Sequence, residues 1–205
     1  MDVTDSVAVL TSSVGIEAPV NPVDVARSLG LQVRFEDLPA DVRGFFLENS
    51  SVIVVNANDR QERQNFTIAH EIGELRKPKK MAALRREKWA DEFAAELLLP
   101  HHLFVEYGRH AGWDLAKLKE LFCTASWEVI ARRVLKHHNC VITIIDNGKV
   151  YFRRGSGMKF PSKLMTEEIE AIESNSQVIS DQCCVRCWSV VEETERVFLM
   201  TETVE

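Results

Sequence analysis

The run His70-Glu71-Ile72-Gly73-Glu74 constrains this chain more than any other, because its chemistry works only on a helix with a second helix opposite. On a helix His70 and Glu74 stand four apart and project from one face, with Glu71 beside them. The spacing is that of an H-E-x-x-H helix, in which two imidazoles hold Zn²⁺ and the glutamate serves as general base. Here a carboxylate stands where the second imidazole would be. Glu87 and Asp91 repeat the four-residue spacing on the next helical segment. Two helices packed antiparallel through a short connection bring Glu87 towards an ion held at His70. Asp91 then falls behind His70, accepts the other imidazole N–H and fixes the tautomer.

The surrounding pattern supports those two helices. Residues 60–75 place Phe66, Ala69, Ile72 and Gly73 on one face, and the basic segment 76–80, interrupted by Pro78, ends the helix. Residues 81–99 carry a ridge of Trp89, Phe93 and Leu97, with Ala90 and Ala94 letting a neighbour approach closely, and stop before Pro100. Upstream, Asn21 and Pro22 open a helix as N-cap and first-turn residue, and Gly30 closes it. Residues 31–35 and 44–47 alternate as strands, and 52–55 form a continuous β-branched run suited to a well-covered strand. Asn56 to Asp59 have the chemistry of a loop that caps the next helix.

Further helices are expected near 103–107, 114–122 and 126–136. Asp146-Asn147-Gly148 between residues 141–145 and 149–153 is a hairpin signal. A short helix near 166–173 and strands at 185–191 and 196–201 complete the chain. The expected fold class is α+β: a zincin-like helical core with a small β-sheet over residues 1–139, and a small α+β appendage over 140–205.

The resemblance to a known family rests on two ordered motifs. Phe66-Thr67-Ile68-Ala69-His70-Glu71-Ile72-Gly73-Glu74-Leu75, followed by Ala90-Asp91-Glu92-Phe93-Ala94-Ala95-Glu96-Leu97-Leu98-Leu99-Pro100, resembles the ImmA/IrrE metallopeptidases. Their FTxAHExGH helix precedes an ExxA(N/D)xFAAxLLxP helix, and the resemblance extends over residues 20–140. It implies a gluzincin-like core in a cytoplasmic protein, and an anti-repressor role in which a helix-turn-helix transcriptional repressor is cleaved to switch on a stress response or a mobile element. Carried over by position, it makes His70 the first metal ligand, Glu71 the catalytic base, Glu87 the third ligand and Asp91 the partner of the His70 ring.

Glu74 is the departure from that pattern. Zn²⁺ with two histidines and one carboxylate carries a formal charge of +1, whereas with one histidine and two carboxylates the charge is zero. The less positive site acidifies bound water less. Glutamate is also a harder ligand, which moves preference from Zn²⁺ towards Mn²⁺ or Fe²⁺. Metal-dependent endopeptidase activity is therefore the leading expectation. A catalytically weak or inactive relative that regulates a partner by binding is the alternative, and a DNA-binding regulator is a third.

Other features bear on partners and compartment. The net charge of −6 argues against a domain dominated by phosphate contacts, and no apolar run approaches a membrane span. The acidic start Met1-Asp2-Val3-Thr4-Asp5 does not suit a secretory signal. Five cysteines, with Cys183, Cys184 and Cys187 crowded together, do not read as a disulfide framework. No second C-x-x-C completes a zinc site with Cys184 and Cys187, so a strand with buried thiols is the expectation. His101-His102 and His137-His138 sit at helix ends. The helices at 114–122 and 126–136, with Arg132, Arg133 and Lys136, mimic a helix-turn-helix, but the basic residues also suit a helix C-terminus. Arg76, Lys77, Lys79, Lys80, Arg85 and Arg86 read as a solvated basic turn.

Overall fold

A computed structural model of the chain describes residues 2–14, 18–78, 81–191 and 194–204. Met1, Lys79 and Lys80, which entered the sequence argument, lie outside the described residues. The chain forms two compact units: Met1–Ala111 with Lys117–Ser126, and Gly112–Ala116 with Trp127–Glu205. The α+β class is confirmed, with helices and small sheets in both parts.

In the first unit, α1 (Val3–Val14) and α2 (Pro22–Ser28) precede β1 (Gln32–Glu36), β2 (Gly44–Leu47) and β3 (Val52–Asn56). The Asn21 side chain accepts from Val23 N at 3.0 Å and Pro22 occupies the first turn, as the cap chemistry predicts. The three strands are ordered β1-β3-β2, with β3 parallel to β1 and antiparallel to β2. All five residues of β3 are buried, which explains the unbroken β-branched run of its first four, Val52 to Val55.

Helix α3 (Gln61–Arg76) packs on β2 and β3 and, on another face, on α4 (Ala83–Leu98). The loop ahead of α3 differs from expectation. Its N-cap is Arg60, with no side-chain cap, and Asp59 instead pairs with Arg43 at 2.8 Å. Asn56 pins the preceding loop by donating to the carbonyls of Leu38, Pro39 and Val42. A Cβ on Gly44 would stand 2.6 Å from both Thr67 Cγ2 and Val54 O, so only glycine lets β2 lie this close to α3.

The α3–α4 contact is the core that positions the site. Ile68, Ala69 and Ile72 from α3 and Ala90, Phe93, Ala94 and Leu97 from α4 are all fully buried. Each large side chain among them contributes about 1.5–3 kcal/mol by leaving water. Gly73 allows the close approach, because a Cβ there would meet Phe93 at 3.1 Å and Ala90 Cα at 3.2 Å. Helix α5 (His101–His110) follows Pro100 directly, and the buried Glu96 accepts from its first N–H at 2.9 Å. Helix α6 (Leu115–Leu121) runs across the division between the units as drawn above.

The second unit holds α7 (Trp127–Val134), β4 (Val141–Asp146), β5 (Lys149–Gly155), α8 (Thr166–Ser174), β6 (Val178–Ile179), β7 (Cys183–Val191) and β8 (Glu195–Thr203). Its antiparallel sheet runs β5-β4-β8-β7-β6. Asn147 and Gly148 both take positive φ, +48° and +73°, as a two-residue hairpin turn requires. Cys183 is buried in β7 and Cys184 and Cys187 are half-buried, all as free thiols. Burial pushes the Cys183 and Cys187 thiols above the usual range, and Cys140, in a wholly buried position, up to about 12. The expectation of a strand with buried thiols thus holds for Cys183, whereas Cys184 and Cys187 are only half-buried.

An ion cluster lies on the opposite side of this sheet from α8. Glu202 accepts from Arg186 at 2.6 and 3.0 Å and faces His138 Nε2 at 2.6 Å, while Trp113 stacks on the His138 ring. Burial pushes the Glu202 carboxyl up, but the bonds from His138 and Arg186 outweigh it and hold the group below its usual value of 4.5. A depressed carboxyl contributes stability above the unfolded pKa and loses it as pH falls through the folded one. Glu202→Gln is thus expected to destabilise the protein at neutral pH and to flatten the loss of stability between about pH 5 and pH 3. Melting curves across that range check it; an acid limb unchanged by the substitution would remove Glu202 as its source.

Candidate metal centre

The geometry begins with His70. Two long helices joined by a short connection must pack back on one another, and the register set by Gly73 against Ala90 and Phe93 brings the polar edges of α3 and α4 together. His70 Nδ1 then lies 2.9 Å from Asp91 Oδ1, and its Nε2 lies 3.5 Å from Glu87 Oε2. With Nδ1–H donated to Asp91, Nε2 keeps its lone pair facing Glu87.

The two distances have different meanings. At 2.9 Å the Asp91 contact is a hydrogen bond of ordinary length. The 3.5 Å separation to Glu87 is long for one. It is close to the edge of a tetrahedron whose centre lies about 2.0–2.2 Å from each donor, which is roughly 3.3–3.6 Å. The separation is compatible with two donors sharing one ion. The Glu87 side chain is 77% exposed and the His70 side chain 18%, so the pair sits at the surface edge of the helix contact.

Glu74 lies one helical turn beyond His70 and is three-quarters buried. Its Oε2 takes an ion-pair hydrogen bond from Lys77, while its Oε1 is buried with no hydrogen-bond partner among the described residues. As arranged, no three His, Cys, Asp or Glu side chains among the described residues converge on one ion position. Two donors of the expected set thus come together, and the third holds a spare oxygen without closing the set. The chemistry of the donors fits a divalent ion at His70 and Glu87, and the orphan oxygen of Glu74 is the kind of group such an ion would satisfy.

Electrostatics separate the acid–base roles. The Asp91 hydrogen bond raises the His70 pKa; burial opposes it, and the charges of Asp91, Glu71 and Glu87 add to the rise. Burial raises the Glu71 carboxyl; the nearby His70 works against it, and Glu74 and Glu87 push it further up. A carboxyl moved towards neutral pH is suited to taking and returning a proton.

Lys77, read from sequence as part of a solvated basic turn, instead caps the end of α3 and pairs with Glu74. The other candidate residues are engaged elsewhere. His101 opens α5 and donates its backbone N–H to Glu96, and His138 belongs to the Glu202 cluster. Arg132 pairs with Glu128 at 2.7 Å and stacks over Phe152, and Arg133 is buried. Neither arginine of α7 is presented as a free basic face.

A solved structure described as a Mycobacterium tuberculosis transcriptional regulator matches 98% of this chain and 75% of its own length, with a TM-score of 0.70. At 13% identity that likeness establishes a shared fold. A search of curated proteins gave no match. No helix among the described residues is long and apolar enough to cross a membrane. Residues 26–135, more than half of the chain and including all of α3 and α4, match the profile of the Peptidase_M78 family, described as the IrrE N-terminal-like domain. With His70, Glu71, Glu87 and Asp91 grouped on those two helices as the ImmA/IrrE motifs imply, the chain belongs to the Peptidase_M78 family.

Proposed function

We propose that this chain is a cytoplasmic, metal-dependent endopeptidase of the gluzincin type, acting as an anti-repressor on a helix-turn-helix transcriptional repressor. The observation that carries the reading is the placement of His70 between Asp91 at 2.9 Å and Glu87 at 3.5 Å, with Glu71 alongside. His70 Nε2, Glu87 and Glu74 would hold the ion, Zn²⁺ or alternatively Mn²⁺ or Fe²⁺. When bound, it supplies Lewis-acid polarisation of the scissile carbonyl and charge stabilisation. Glu71 takes a proton from the attacking water and returns it to the leaving nitrogen. Asp91 holds the imidazole in the tautomer that leaves Nε2 free. The repressor as substrate is supported by the family's association with regulators and by the kinship of fold with a transcriptional regulator.

A second reading has its own observation. Lys77 engages Glu74, and the three donors do not converge, which favours a relative that regulates a partner by binding it without cleavage. Metal uptake separates the two. The purified protein is expected to take up Zn²⁺ and to cleave a purified helix-turn-helix repressor. Asp91→Ala is expected to weaken Zn²⁺ by about 10–100-fold, the usual cost of losing the partner of a ligating histidine. A native protein that takes up no divalent ion overturns the peptidase reading. Native affinity in Asp91→Ala would leave Asp91 a surface charge.

A further inference from the structure

The Glu74–Lys77 pair combines three facts that the peptidase reading does not use. Glu74 lies in the last turn of α3 and Lys77 caps its C-terminus, their side chains only 23% and 25% exposed. One carboxylate oxygen is taken by the ammonium while the other is buried and unsatisfied. Glu74 is also the donor that fails to join His70 and Glu87.

We propose that Lys77 is a tethered cation that competes with a divalent ion for Glu74, and so sets how tightly this site takes up metal. The proposal rests on the reading of Glu74 as a ligand. A histidine at position 74 would have no attraction for an ammonium group; the carboxylate has. Lys77, the residue that caps the C-terminus of α3, is only three residues along the backbone from Glu74, which keeps the ammonium at high effective concentration beside the carboxylate. Partial burial reduces screening by salt, so the competition persists at physiological ionic strength. A metal ion binding through Glu74 must either displace Lys77 or accept a carboxylate whose charge is already partly neutralised. In both cases affinity falls relative to a Glu74 that lacks the lysine.

The test is a double-mutant cycle on Zn²⁺ affinity, read by competition with a chromophoric chelator on the full chain. Lys77→Met is expected to tighten Zn²⁺ at least tenfold when Glu74 is present and to have little effect in a Glu74→Gln background. Lys77→Arg, which keeps the cation, should stay within about threefold of native. Melting curves of each variant establish that the fold is retained, and Lys77→Arg provides a conservative comparison if Lys77→Met is weakened. Equal tightening in both backgrounds, or none in either, overturns the proposal while leaving the metal reading intact. Zinc that binds independently of Glu74 removes Glu74 from the ligand set and overturns the proposal with it. If neither the native protein nor Lys77→Met takes up Zn²⁺, the proposal and the metal reading fall together. Uptake by Lys77→Met alone would be its strongest support.

Discussion

Glu71→Gln is expected to lower cleavage of a repressor substrate by about 10²–10⁴-fold while leaving Zn²⁺ affinity within a few-fold of native. The substitution is nearly isosteric and removes only the proton acceptor. Glu71 lies outside the proposed ligand set of His70, Glu74 and Glu87, so the donors are untouched. Its half-buried position raises its carboxyl towards neutral pH, which makes it a better proton carrier than an exposed glutamate would be. Loss of cleavage with metal retained would assign it as the base. Unaltered cleavage would move the base elsewhere, and loss of metal together with cleavage would make Glu71 a ligand or a structural support. If the native protein cleaves nothing, binding of the same partner by both proteins would favour regulation without catalysis.

The site was legible where residue spacing on a helix carried the information. His70, Glu87 and Asp91 lie on faces fixed by periodicity, and the small residues Ala90 and Ala94 signal a close helix contact, to which the structure adds Gly73. The state of Glu74 was not legible from its own position. Whether that carboxylate joins an ion or a lysine depends on rotamers and burial at the end of α3, and the basic residues 76–80 read equally well as a solvated turn.

The fold was legible for the same reason and illegible elsewhere. The hairpin at Asn147-Gly148 and the buried strand β3 follow from positive-φ residues and from an unbroken β-branched run. Helix α1 was missed because its sequence, rich in Val, Thr and Ser, gives weak propensity, although Asp2 caps its start by accepting from Asp5 N at 2.8 Å. Asp59 looked like a cap because loop carboxylates often are, but Arg43, distant in sequence, pairs with it instead. Such non-local partners leave no local pattern.

The strongest non-local case lies in the second unit and carries the largest expected loss of stability. Glu168, on α8, is fully buried, and it receives both Arg153 nitrogens at 2.9 Å, Thr201 Oγ1 at 2.7 Å and the Met165 backbone N–H at 2.9 Å. The Arg153 side chain is only 6% exposed, and it also donates to Thr143 and to the Pro161 carbonyl. One carboxylate thus closes the first turn of α8 and ties it to β4, β5 and β8. Glu168→Ala would strand a buried guanidinium and leave Thr201 and Met165 N without their acceptor. The expected cost is about 3–5 kcal/mol, the range for breaking a buried pair from one side. Replacing both partners, Glu168→Leu with Arg153→Met, should recover most of that loss, because the desolvation of both charges disappears with them. Chemical denaturation of the three proteins, followed by the signal of the second unit's sheet, provides the comparison. A single substitution costing under about 1 kcal/mol would show that water reaches Arg153 and that the pair is not buried in the sense that sets this magnitude. A double variant as unstable as the single would instead assign the loss to the helix cap and the Thr201 hydrogen bond, which both variants lack.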